Sequence, residues 1–72
     1  MTKERKNYYL KWIKRKLWLA SFGLTKEKTL LSELKETINA IQWNNPKEEA
    51  MHFIQSEVIP LLKKYGILVE EL

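Results

Sequence analysis

Seventy-two residues hold one domain, and a chain this short buries only about 60% of the surface its unfolded form exposes, so the core is small. With no cysteine, neither a disulfide framework nor a thiolate zinc site can staple the fold, which must rest on packing, alone or with a second copy. The net charge of +4 is uneven: residues 1–24 carry seven basic side chains against Glu4 alone, whereas residues 25–72 carry six against eight acidic ones, an asymmetry that attracts acidic partners to one end or lets copies meet head to tail.

The first predicted element is a helix over 8–22, preceded by a flexible basic tail, residues 1–7. Asn7 is its capping candidate, and Gly23 can close it in the left-handed conformation. Tyr9, Ile13, Leu17, Ala20 and Leu24 recur at helical spacing and give it one apolar face. Strand alternation fits worse, because odd and even positions both mix charge with bulk, although Tyr, Trp and Ile favour strands.

A second helix, 26–42, is predicted from a Thr25 cap. Leu31, Leu34, Ile38 and Ile41 form its apolar seam with Leu30 beside them, and polar residues fill most of the remaining circumference. This is the pattern of bundle packing.

The third helix, 46–65, has the clearest start signal. Asn45 offers a cap, Pro46 suits the first helical position, and Glu48 and Glu49 favour the positive end of the helix dipole. Ala50, Met51, Ile54, Val58, Leu61, Leu62 and Tyr65 make its apolar face. Lys63 and Lys64 suit its negative end, Gly66 its C′ position, and Ile67 a fold back onto the last turn. Pro60 denies the Ser56 carbonyl its amide partner, which predicts a kink. Residues 67–72 are left as a short C-terminal tail. Short connections between consecutive helices predict an all-α antiparallel three-helix bundle, with residues 8–66 as its single domain.

Catalytic chemistry is poorly supplied. There is no Asp and one histidine, and Glu48, His52 and Ser56 only imitate a triad, lying opposite the apolar face with no pocket wall. One His with scattered Glu lacks the pairing a zinc site requires, and two distant glycines make no phosphate loop. The expectation is a protein that is not an enzyme and uses no cofactor or metal. The longest apolar-leaning run, residues 17–24, is far below the roughly 20 residues that span a bilayer, and no targeting segment is evident, so a cytoplasmic location is expected.

The candidate binding row lies on the first helix, where Lys11, Arg15, Trp18 and Phe22 align with Lys14 beside them. Basic groups interleaved with aromatics suit phosphates and stacked bases, and a basic helix with Trp can also lie on a membrane. The simpler reading packs Trp18 and Phe22 into the core. A helix-turn-helix would point Glu48 and Glu49 at phosphates, so DNA recognition by the third helix is disfavoured. Trp43 and Phe53, like Trp18 and Phe22, fall off the main apolar faces. That surplus predicts self-association, most simply a homodimer, and contact with another protein; nucleic acid is the second choice and membrane is disfavoured. No family motif is present. The Lys-, Glu-, Leu- and Ile-rich, Ala-poor usage resembles short reading frames of AT-rich bacterial or prophage genomes, a likeness of type that transfers no functional residue.

Overall fold

Thr2, not Asn7, starts the first helix. In a computed structural model, which describes residues 1–68, the Thr2 hydroxyl accepts the Arg5 amide at 3.2 Å, and α1 runs Lys3–Ser21. The stretch expected as a flexible tail is therefore helical from Lys3, and Met1 packs against the core. The reason is local: Thr2 is itself a preferred capping residue, Glu4 suits the first turn, and Lys, Glu and Arg are good helix formers. At the other end Gly23 takes φ 74°, its amide bonds to the Ala20 carbonyl, and the Leu24 amide reaches back to Leu19. This pair of bonds satisfies carbonyls that the helix end would orphan.

Helix α2 spans Glu27–Trp43 and begins from Lys26, which offers no side-chain cap; Glu27 supplies the favourable charge in the first turn instead of Thr25 supplying a cap. Asn45 does not cap the next helix either. Its amide nitrogen donates to the Ile41 carbonyl at 2.8 Å and to the Tyr9 hydroxyl at 3.4 Å, closing α2 and tying it to α1. Pro46 occupies the capping position.

Helix α3 (Lys47–Phe53) passes through a π-helical segment, Ile54–Val58, into α4 (Ile59–Lys64), and together these form one third helix. The disturbance predicted from Pro60 is taken up here. Ser56 cannot receive an amide from Pro60, and the turn widens so that the Ile59 amide bonds to the Ile54 carbonyl, five residues back. Gly66 takes φ 76°, and the Ile67 amide reaches the Leu62 carbonyl, so this helix ends as α1 does. Of the expected C-terminal tail, Ile67 packs on the core and residues 69–72 lie outside the described residues.

The π segment also corrects the reading of Phe53. A turn that holds more residues than the 3.6 of an α-helix winds the apolar stripe back toward its start. Val58 and Leu62 then stay in line with Ala50 and Ile54, and Phe53 falls inside the buried arc at 1% exposure. Met51, expected on that face, is left exposed by the same rotation, and Tyr65, just past the helix end, is exposed as well.

These residues meet Tyr9, Ile13 and Leu17 of α1 and Leu30, Leu34 and Ile41 of α2 in one core, which buries no polar side chain among the described residues. The Tyr9 and Phe53 rings lie 6.2 Å apart. Leu24 stays exposed because the chain has left the helix at Gly23. Tyr9 sits beside Asn45, Trp12 beside Thr37 and Ala40, and Lys16 beside Glu33, so α1 and α2 run antiparallel. Trp43 beside Lys47 and Met51, with Ile38 beside Ile59 and Leu62, gives the same sense to α2 and the third helix. The architecture is an all-α three-helix bundle.

Candidate interaction surface

The core takes Tyr9, Ile13 and Leu17 from α1, and half a turn away stand Lys11, Arg15, Trp18 and Phe22, with Lys14 at the edge of the same row. All five are exposed, Trp18 at 56% and Phe22 at 63%. The reading that packs these two aromatics into the core is overturned, because they sit on the side of α1 that faces away from both other helices. The structure does bring them together, edge to face, with ring centres 4.9 Å apart. Such pairs favour each other by about 0.5–1.5 kcal/mol beyond the area they cover. Phe22 is the residue that closes α1, so the hydrogen-bonded turn at Gly23 fixes its backbone, and the Ser21 hydroxyl donates to the Trp18 carbonyl at 2.6 Å.

Among the described residues Lys11, Lys14 and Arg15 lack anionic neighbours, for a reason visible in the chain. No acidic residue occurs between Glu4 and Glu27, so none can stand three or four positions away on the helix. The ion pairs among the described residues are Lys16 with Glu33 at 3.0 Å and the Met1 ammonium with Glu49 at 2.8 Å. Neither engages the row.

Two residues outside the predicted row widen this surface. Tyr8 and Trp12, four positions apart, are exposed on the adjoining side of α1 and border a shallow hollow of about 200 Å³ against Glu36, Thr37 and Ala40 of α2. The Lys16 ammonium lies 4.8 Å from the centre of the Trp12 ring, within cation–π range. Helical spacing places both residues beside Lys11 and Arg15, and that signal was available from the sequence.

The remaining candidates differ in kind. Trp43 is 87% exposed and borders a separate groove where α2 meets α3. Glu48, His52 and Ser56 are exposed, and the Ser56 hydroxyl donates to the His52 backbone carbonyl at 2.7 Å rather than to the imidazole. The Glu49 carboxyl is held below its ordinary range by the hydrogen bond from the Met1 ammonium and by that group's charge, with a smaller contribution from Lys6. Among the described residues no three metal-ligating side chains converge, and no helix is long and apolar enough to cross a membrane. No family model, curated protein or solved structure matches this chain.

Proposed function

We propose that this chain is a non-enzymatic helical module for protein–protein contact, which holds another protein through the outer face of α1 and also self-associates. One observation carries the first part: a Trp18–Phe22 pair lies in solvent, bordered by three cations that have no anionic partner among the described residues. A Phe or Trp buries roughly 150–250 Å² when covered, and apolar area is worth about 25 cal/mol per Å², so covering this pair outweighs any rim charge. Aromatic anchors of this kind dominate protein interfaces, while rim cations set approach rate and orientation. Here they select an acidic partner.

A photo-crosslinking residue at position 14, in cells producing the chain, tests the reading. The expected result is a discrete protein adduct that Trp18→Ala or Phe22→Ala removes. An adduct digested by nuclease, or none at all, would overturn it. The second reading is nucleic-acid binding, favoured by the interleaving of Lys11, Lys14 and Arg15 with the two rings. It requires affinity that falls steeply with salt and is abolished by Lys11→Glu, Lys14→Glu and Arg15→Glu together.

A further inference from the structure

The end of the molecule where α2 meets α3 carries a knob beside a hole. Trp43 is the last residue of α2, and at 87% exposure it contributes almost nothing to its own fold. Next to it lies a groove of about 400 Å³ bordered by Gln42, Lys47, Ala50 and Met51 as well as Trp43 itself. A cavity of about 150 Å³ takes up a benzene ring, so this groove has room for the larger indole. Ala50 is buried beside it, and the exposed Met51 thioether is a favourable contact for an aromatic ring. We infer that the chain forms a two-fold dimer in which Trp43 of each copy seats in the groove of the other, against the exposed Met51. The inference rests on the self-association proposed above and adds the site through which it occurs.

Charge selects a second copy as the occupant of this groove. Two α1 outer faces make a poorer pair, because Lys11, Lys14 and Arg15 would oppose their own kind, with no acid between Glu4 and Glu27 on that helix to relieve them. At the Trp43 end the signs are interspersed. Arg5 bonds to Asn44 and Asn45, Lys6 shares a hollow with Glu48 and Glu49, and Lys47 borders the groove itself. A two-fold contact there can set the acids of one copy against the bases of the other. Knob and groove also adjoin on one surface, which is the self-complementarity an isologous interface requires.

Area then sets the strength. Two indoles at roughly 150–250 Å² each, even with the groove walls they cover, fall short of the roughly 1,200 Å² typical of stable interfaces. The dimer is therefore weak and depends on concentration. Sedimentation equilibrium of the full chain from micromolar to millimolar concentration should show a monomer–dimer equilibrium. Trp43→Ala should raise the dissociation constant roughly thirtyfold or more without changing the helical circular dichroism, and Trp18→Ala should leave it unmoved. In a mixture of isotope-labelled and unlabelled chains, nuclear Overhauser contacts should join the Trp43 indole of one copy to the Met51 methyl of the other. A native chain that stays monomeric throughout would overturn self-association and this site with it. A dimer that survives Trp43→Ala, or that is lost with Trp18→Ala, would overturn the site alone.

Discussion

Helix α1 and the third helix each bring a line of large apolar residues to the bundle, and they divide them differently. α1 keeps one helical period from Lys3 to Ser21, so its faces stay sharply separate: Tyr9, Ile13 and Leu17 go to the core, while Trp18 and Phe22 give it nothing. The third helix changes period at Ile54, and the change draws Phe53 inward and turns Met51 out. An aromatic side chain is thus committed to the fold or left for something else by helical phase, not by its own hydrophobicity. The pair of helices separates residues that hold the molecule together from residues that it presents.

The contrast is broken most directly by exchanging a committed ring for an uncommitted one. A 72-residue domain has a total stability of roughly 4–11 kcal/mol. Phe53→Ala, at a fully buried position, should cost about 3–5 kcal/mol, a large share of that total, and lower the urea midpoint sharply, as followed by circular dichroism. Phe53→Leu should keep the fold at a smaller cost. Trp18→Ala loses only the pairing with Phe22 and should cost no more than about 1.5 kcal/mol, since the side chain is more than half exposed. Equal losses at the two positions would remove the distinction between the helices.

A finer test concerns what holds the π segment. Pro60→Ala restores the missing amide, which is worth about 1 kcal/mol as a hydrogen bond. Burial of Phe53 is worth several times that, so the widened turn should persist. Hydrogen-bond couplings across Ile54–Ile59 should survive the substitution, and stability should move by less than about 1.5 kcal/mol. Loss of that coupling would make Pro60 the sole cause of the phase change.

The smallest expected effect is electrostatic. Glu49 has a lowered pKa in the folded chain, so its pairing with the Met1 ammonium stabilises the fold above the ordinary carboxylate range. That contribution is lost as pH falls through the lowered pKa. Glu49 is exposed, so the effect is slight, and Glu49→Gln should flatten the acid limb of the stability profile while scarcely moving the neutral value. An unchanged acid limb would show that the pair contributes nothing.

Where the period holds, the sequence is easily read. Leu34, Ile38 and Ile41 of α2 and Tyr9, Ile13 and Leu17 of α1 follow directly from spacing, although Leu30 rather than Leu31 enters the core, and both glycine closures follow from the need for positive φ. Helix starts were less legible, because several residue types cap about equally well and only the surrounding chain decides whether Thr2 or Asn7 is used. Asn45 has a side chain that can serve either neighbouring helix, and its choice of Ile41 depends on Tyr9 arriving from α1. Phe53 could not be placed while a constant 3.6-residue turn was assumed across Pro60. The row Lys11, Lys14, Arg15, Trp18 and Phe22 was legible as an alignment, but its exposure was not, since that depends on which side of α1 the other two helices cover.

Because Trp12, Trp18 and Trp43 are all exposed, this molecule carries its indoles on the outside. Its intrinsic emission should be that of water-bathed indole even when folded, and should shift little on unfolding. Emission is therefore a poor witness to the fold and a sensitive one to company. A blue shift in the native chain would report that a neighbour has arrived. Single-tryptophan variants would tell which surface it covered: the outer face of α1 through Trp18, or the groove end through Trp43.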